Sequence, residues 1–213
     1  MLVTKFGHCC LLLEIDGVRV LIDPGAYSTG QDDVRDIDAI LITHEHTDHY
    51  HADSVKKVVA NNPTAVIIAN NTVGALLDKE GVAHTRVTDG ESTQVRGVKI
   101  EGCGREHALI YGQMGACENT GFRVGEKFYY GGDSFFVPGI SVDVLALPVD
   151  APWMKVAEAV EFAKTVRPRA AFPVHDAMQT EDTNAFYDQM FSRFLEAEKI
   201  EFVSLKSGDS HEF

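Results

Sequence analysis

Short apolar runs separated by turn residues dominate the first part of the chain. Leu11 to Ile15 and Val18 to Ile22 flank Asp16-Gly17, a dipeptide that favours the tight turn of a β-hairpin. A further run, Asp38 to Thr43, has the length of a strand and leads directly into a histidine-rich segment. The pattern therefore predicts that these histidines lie on a loop at the C-terminal end of a strand.

Helical spacing and strand-like runs alternate through the rest of the chain. Valines at helical spacing predict a helix with its N-cap at Asp53 or Ser54 and its end before Pro63. Apolar positions from Val156 onward predict a second amphipathic helix that ends before Pro168. The remaining predicted elements are a buried strand at Ala65 to Ala69, a final helix marked by Phe186, Met190 and Phe194, and a strand near Phe202 to Leu205.

A weak internal repeat relates two parts of the chain. The hairpin from Leu11 to Asp23 and the strand after it have counterparts in the segment from Gly121 to Asp133 and the strand from Val142 to Leu147. Under this repeat, Asp23 and Asp133 end equivalent strands, and the loop from Pro148 to Met154 corresponds to the histidine-rich loop. Chance similarity between two hairpins is the alternative.

Length and composition indicate one domain covering residues 1–213. A chain of 213 residues with 45% hydrophobic content can bury a substantial core between packed layers. No apolar run reaches the roughly 20 residues that cross a bilayer, so we expect a cytoplasmic protein without membrane insertion. The net charge of −13 counts against nucleic acid as a partner, because contact with phosphates relies on concentrated basic residues. A small-molecule substrate is favoured, and an oligomer is possible.

The histidine-rich segment holds four candidate metal ligands within six positions: His44, His46, Asp48 and His49. Neutral imidazole nitrogens and anionic carboxylate oxygens together suit zinc and similar divalent ions. Alternate residues of a loop leaving a strand point the same way, so His44 and His46 can converge on one ion. A polar surface loop is the alternative interpretation of this cluster.

Four protein ligands cannot fill the coordination spheres of two ions, so a paired site requires further ligands at the ends of later strands. The sequence offers His107, Asp133 and His175. Asp133 and His175 each follow an apolar run of strand length, as His44 does. His107 has no firm strand before it, and an ordinary surface histidine is its alternative interpretation.

The order of these residues resembles the metallo-β-lactamase superfamily, whose HxHxDH motif is matched in full by His44, His46, Asp48 and His49. The resemblance implies an α/β fold, a four-layer αββα sandwich. Two early segments, Gly7-His8 and Leu21 to Gly25, are most similar to the branch of compact hydrolases related to ascorbate phosphate lactonase.

The resemblance also implies roles for the candidate ligands. His44, His46 and His107 would hold the first ion, Asp48, His49 and His175 the second, and Asp133 would bridge both. Zinc is the expected metal, with manganese or iron as alternatives. The implied activity is hydrolysis of a small ester, lactone or phosphodiester by a hydroxide shared between two ions, with Asp48 as the catalytic carboxylate.

Two other functions stay open from sequence alone. A nuclease or phosphodiesterase of the same fold is the nearer alternative, although the acidic composition counts against polynucleotides. An iron-dependent redox protein is the other, because histidine and carboxylate ligands also suit iron.

Four further residues are candidates for substrate binding or for supporting the ligands. His8 is either a core histidine or a pocket residue beside the metals. Asp23 either caps a turn or accepts a hydrogen bond from a ligand histidine and fixes its tautomer. Arg105 either binds an anionic substrate group or forms a surface salt bridge. The repeat places Trp153, with Asp150 and Met154, at the metal edge, where they would line the substrate pocket.

Overall fold

Two mixed β-sheets packed face to face form the centre of the molecule, and the computed structural model describes all of residues 1–213. The strands of the first sheet are β1 (Leu2–Gly7), β2 (Cys10–Ile15), β3 (Val18–Ile22), β4 (Ala39–Ile42), β5 (Val66–Ala69), β6 (Thr85–Arg86) and β14 (Ser210–Glu212). Their order across the sheet is β14-β1-β2-β3-β4-β5-β6. The pairs from β3 to β6 are parallel, and the others are antiparallel.

The second sheet has the same number of strands and a matching arrangement. Its strands are β7 (Ser92–Val95), β8 (Val98–Cys103), β9 (Gly121–Val124), β10 (Phe128–Tyr130), β11 (Val144–Pro148), β12 (Ala170–Val174) and β13 (Glu201–Phe202). Their order is β13-β12-β11-β10-β9-β8-β7, with parallel pairing from β10 to β13. Each sheet thus joins a hairpin to a parallel set of strands, as the predicted repeat requires.

Helices cover the outer face of each sheet. They are α1 (Ala52–Asn61), α2 (Asn71–Lys79), α3 (Val156–Val166) and α4 (Glu181–Glu196), with a short 3-10 turn at Gln31–Asp33. The predicted four-layer αββα sandwich is confirmed. No helix is long and apolar enough to cross a membrane.

The helix starts and the final strand show where sequence patterns were wrong in detail. The N-cap of α1 is His51, which lies two residues before Asp53 and three before Ser54, and no side-chain bond caps this helix. The Ser54 hydroxyl instead lies 3.1 Å from His51 Nδ1. In α4, Phe186 and Phe194 are exposed, because Phe191 and Leu195 provide the packed face. The last predicted strand is shorter than expected and ends at Phe202.

Burial on both faces explains why the central strands are continuous apolar runs. In β4, Ala39 and Leu41 join the core between the sheets, whereas Ile40 and Ile42 pack under α1 and α2. In β11, Val144 and Ala146 face the other sheet. The alternating residues Leu145 and Leu147 pack under α3 and α4. A parallel strand covered on both sides has no polar face, so its sequence shows no alternation.

One edge of the sandwich collects the C-terminal ends of the parallel strands from both sheets. Asp23 follows β3, and His44 follows β4 after one intervening threonine. On the other sheet, Asp133 lies just beyond β10, and His175 directly follows β12. The fold therefore brings polar loops from two separate cores together at one place.

Lys5, on β1, links the first sheet to residues beside His175. Its side chain is fully buried, and Nζ donates to the carbonyl of Pro173 at 2.8 Å and to that of Leu205 at 3.3 Å. Nζ also lies 2.5 Å from Asp176 Oδ2, so the ammonium ion is paired. The contacts fix the loop that carries His175 against the first sheet.

We expect Lys5→Met to lower the free energy of unfolding by about 3–5 kcal/mol, because it leaves Asp176 without its cation in a mostly buried position. Urea denaturation followed by circular dichroism measures the change. Lys57→Met is the matched control: it removes an exposed pair with Asp32 and should leave stability unchanged. Equal effects of the two substitutions would contradict the prediction.

Candidate metal centre

Six histidines and two aspartates converge at the shared edge of the two sheets. Their ligand atoms form three overlapping groups, and within each group all atoms lie within 4.8 Å of one another. The groups are His44, His46 and His107; His8, Asp48, His49 and His175; and His44, His49 and Asp133. All seven candidate ligands named from the sequence therefore lie together, and His8 joins them.

Asp133 lies between the group that contains His107 and the group that contains His175. Its Oδ2 atom is 3.2 Å from His107 Nε2 and 3.1 Å from His175 Nε2, and its Oδ1 atom is 3.2 Å from His49 Nε2. The carboxylate is almost completely buried. A group in this position can contact cations held on either side of it.

Each imidazole has one ring nitrogen that faces the centre, called inward here, and one that points away from it, called outward. In three of the histidines the outward nitrogen donates to a fixed acceptor. His49 Nδ1 bonds to Asp23 Oδ2 at 2.8 Å, His107 Nδ1 to a backbone carbonyl at 2.5 Å, and His175 Nδ1 to the Asp150 carbonyl at 2.6 Å. A carbonyl or carboxylate oxygen can only accept, so each Nδ1 carries the proton in the neutral ring. Each Nε2 therefore turns a lone pair toward the centre, as metal ligation requires.

The other two histidines of the metallo-β-lactamase-like motif in this centre are His44 and His46. Thr43 Oγ1 donates to Asp23 Oδ2 at 2.7 Å, so its oxygen is free to accept from His44 Nδ1 at 3.0 Å. The outward nitrogen of His46, Nε2, lies 3.8 Å from Cys117 Sγ. His44 Nε2 then presents a lone pair toward His46 Nδ1, and the two nitrogens lie 3.2 Å apart, within hydrogen-bond distance. A thiol can donate to His46 Nε2 or accept from it, so these contacts do not fix the tautomer of His46.

Unpartnered atoms in the centre test whether a metal fits these residues. His49 Nε2, His107 Nε2 and Asp133 Oδ1 are buried and have no hydrogen-bond partner. A buried polar atom without a partner costs about 1–3 kcal/mol, and native structures rarely leave several together. Divalent cations beside these atoms would satisfy them, so the donor set fits such ions.

The electrostatics of the centre favour a cation. Although burial opposes it, the positive charges that His49 and His175 can carry hold the pKa of Asp133 well below its usual range. Burial also lowers the pKa of His49, but the Asp133 carboxylate outweighs this and raises it well above the usual range. Burial lowers the pKa of His44 well below its usual range, which keeps that imidazole neutral. A permanent anion surrounded by imidazoles attracts either protons or metal ions.

Close backbone packing holds the histidine-rich loop. Gly25 lies so near the backbone of Asp48 that even a Cβ atom would overlap with it. Asp23 accepts from the backbone N–H of Thr43 at 2.8 Å in addition to its bonds with the Thr43 hydroxyl and His49. Contact with a candidate ligand, one of the two roles that the sequence left open for Asp23, is present. The turn with Gly25 is also present, because Gly25 N donates to the Asp23 carbonyl.

Sequence reasoning missed several residues that hold this centre. Asn119 is fully buried; its Oδ1 accepts from Asp133 N, and its Nδ2 donates to the Gly131 carbonyl. Asn70 donates to the carbonyl of Thr43 at 2.9 Å and so fixes the start of the histidine-rich loop. Neither asparagine lies in a motif, and only their burial marks them.

The residues expected from the repeat have different roles. Trp153 Nε1 donates to Asp133 Oδ2 at 2.9 Å, and its ring centre lies 6.2 Å from that of His107. Asp150 contributes its backbone carbonyl to His175 rather than its carboxylate. Met154 packs against the core under α3 and α4, and its place in the pocket wall stays a prediction.

Arg105 does not reach the centre with its charge. Its side chain is 73% exposed, and Nε lies 3.2 Å from Asp89 Oδ2. The surface salt bridge that the sequence left open is the arrangement present, because Asp89 is fixed nearby by a bond from Gly104 N. Contact of Arg105 with an anionic substrate group stays a prediction, and Arg105 lines the cavity beside His107.

A cavity of about 540 Å³ opens beside His107. Its walls include Leu109, Ala116 and Cys117, and Arg105 is the only lysine or arginine among its lining residues. Tyr27 lies on another side of the centre, with its ring 5.4 Å from that of His8. A pocket of this size suits a small molecule.

Comparisons with known proteins are consistent with this arrangement. A family model described as a beta-lactamase superfamily domain matches residues 2–175. Protein Rv0786c of Mycobacterium tuberculosis is 35% identical over 210 residues, covering 96% of each chain. A UPF0173 metal-dependent hydrolase of Thermoplasma acidophilum is 27% identical over 183 residues, covering 79% of this chain and 80% of that protein. The solved structure of Igni18, described as a metallo hydrolase from Ignicoccus hospitalis, aligns with a TM-score of 0.78 at 21% identity, covering 100% of this chain and 98% of that chain.

We expect Asp23→Asn to lower the affinity for a divalent ion about 10–100-fold, because the amide N–H would face the His49 and Thr43 donors in place of an acceptor. Competition with a zinc chelator measures the affinity, and circular dichroism reports the fold. Asp143→Asn, which changes an exposed pair with Arg169, is the control and should bind like the wild type. Unchanged affinity in the Asp23 variant would refute this role.

Proposed function

This chain belongs to the beta-lactamase superfamily, and we propose that it is a metal-dependent hydrolase of a small ester, lactone or phosphodiester. The observation that carries the proposal is the orientation of four imidazoles, each with its outward nitrogen donating to an acceptor and its inward nitrogen directed at the centre. They belong to His44, His49, His107 and His175. Relatives in the comparisons include proteins named as metal-dependent hydrolases, which supports the same class of activity.

Within this proposal, two divalent ions, preferably zinc, are held by the seven candidate ligands. His44, His46 and His107 would hold one ion, Asp48, His49 and His175 the other, and Asp133 would contact both. Two groups of close ligand atoms, linked by Asp133, support this division. When bound, such ions lower the pKa of water toward neutrality and polarise a carbonyl or phosphoryl oxygen.

The chain's own residues keep the reacting groups in place. Trp153 donates to Asp133 and holds its carboxylate, while Asp23 keeps the His49 ring in one orientation. Although burial raises the pKa of Asp48, a hydrogen bond with His8 and the nearby His49 hold it below the ordinary value. Asp48 therefore stays ionised, and its partly exposed carboxylate can accept a hydrogen bond from an attacking water molecule.

The surroundings of the centre favour a small substrate of low charge. The cavity beside His107 has the volume of a small-molecule site. Arg105, its only lysine or arginine, is already paired with Asp89, so no free cation in this wall is available for a phosphate or carboxylate. These features favour a carbonyl ester or lactone over a phosphodiester, and they count against a polynucleotide.

Metal content and hydrolysis measured on the same samples test the proposal. We expect about two zinc ions per wild-type chain and turnover of at least one class in a panel of esters, lactones, thioesters and phosphodiesters. Replacing His46 and Asp133 together by alanine should remove bound metal and lower the rate about a hundredfold or more.

His84→Ala provides the control, because His84 lies beside Asp78 and away from the candidate ligands. It should retain both metal and activity. Wild-type protein that takes up no divalent ion after dialysis against zinc would overturn the proposed centre. Full metal occupancy without turnover of any substrate in the panel would instead reject the proposed substrate classes.

A further inference from the structure

His8 lies beside the second group of candidate ligands, and we propose that it is a positioning residue for Asp48 and does not itself bind a metal. The inference rests on the proposed function and concerns how one of its ligands is held. His8 has a ligand-like location: its Nε2 lies 3.2 Å from Asp48 Oδ2, and its ring centre lies 4.1 Å from that of His175. Distance alone would allow it to be a further ligand.

Hydrogen bonding of the other ring nitrogen decides between the two roles. The backbone N–H of Ala177 donates to His8 Nδ1 at 3.3 Å. A backbone N–H can only donate, so Nδ1 must present a lone pair. A neutral imidazole carries one ring proton, which must then be on Nε2, facing Asp48. With that proton in place, Nε2 has no lone pair for a metal, and His8 acts as a hydrogen-bond donor.

The donated bond holds the Asp48 carboxylate where the second group needs it. The accepting oxygen, Oδ2, also lies 3.7 Å from His49 Nε2 and 3.6 Å from His175 Nε2. In both rings the outward nitrogen carries the proton, so each Nε2 presents a lone pair. The N–H of His8 therefore keeps one oxygen of Asp48 directed at the place where two imidazoles converge.

The backbone around His8 is built to hold this orientation. His8 is fully buried in the turn between β1 and β2, with a φ of 47°, and the Gly7 before it has a φ of 129°. Its carbonyl accepts from His175 N at 3.2 Å. His8 thus contacts Asp48 from the first sheet and the His175 loop from the second, so it fixes the spacing between two candidate ligands.

Two substitutions distinguish His8 as a hydrogen-bond donor from His8 as a metal ligand. We expect His8→Leu, which keeps bulk but has no N–H, to weaken binding of one of the two zinc ions about 10–100-fold. His8→Gln, which keeps an N–H donor of similar reach, should stay within about threefold of wild type. Zinc titration against a chelator measures both affinities, and His211→Leu on β14 is the control at a histidine outside the centre.

A spectroscopic measurement tests the tautomer without substitution. In the long-range ¹H–¹⁵N spectrum of histidine-labelled protein, His8 should show a protonated Nε2 and an unprotonated, metal-free Nδ1, with zinc present or absent. A metal-bound Nε2 would overturn the inference, as would equal loss of zinc in the Gln and Leu variants. Normal zinc binding by folded His8→Leu would also overturn it.

These outcomes are distinct from failure of the proposed function. If the wild-type protein binds no zinc, the metal centre is refuted, while the tautomer spectrum still reports whether His8 donates to Asp48. If His8→Leu does not fold, the Gln variant and the spectrum decide the question. Two bound ions in the wild type with a metal-ligated His8 would leave the hydrolase proposal standing and remove only the positioning role.

Discussion

Mutual repulsion among buried acceptors is the constraint on which this structure depends. Imidazole nitrogens and two carboxylates meet in a space where His49 Nε2 and Asp133 Oδ1 are 3.2 Å apart and neither atom has a hydrogen-bond partner. Both atoms are buried away from solvent, and burial of each without a partner costs free energy. A cation bound among these groups would convert their mutual repulsion into attraction.

Much of the surrounding architecture serves to keep those acceptors from turning away. Each imidazole is held at its outer nitrogen, by Asp23, by a threonine hydroxyl, by a thiol or by a backbone carbonyl. Asn119 and Trp153 hold Asp133 from two sides. The interactions lie on loops that leave parallel strands, and the apolar cores on both faces of each sheet provide the rigidity that the loops themselves lack.

The sequence predicted the strands and helices with strong periodicity, because strand burial and helical spacing leave a local pattern. The sequence also identified seven candidate ligands, because an ordered motif and the ends of strands can be recognised from sequence. They are His44, His46, Asp48, His49, His107, Asp133 and His175. The sequence could not choose between the roles of His8 or Arg105, because each choice depends on a partner distant in sequence. For Arg105 that partner is Asp89, and for His8 it is the N–H of Ala177. Asn119 left no signal because a single buried amide has no periodicity.

The division of the candidate ligands between two sheets affects the stability of the folded protein. His44 to His49 extend from the first sheet, whereas His107, Asp133 and His175 belong to loops of the second. An ion bound to both sets would cross-link two sheets that also meet through the apolar core between them and through polar contacts such as that of Lys5 with Pro173. By linkage, a thousandfold excess of metal over its dissociation constant adds about 4 kcal/mol to the stability of the folded state. The supply of metal in the cell would then set the lifetime of the protein as well as its activity.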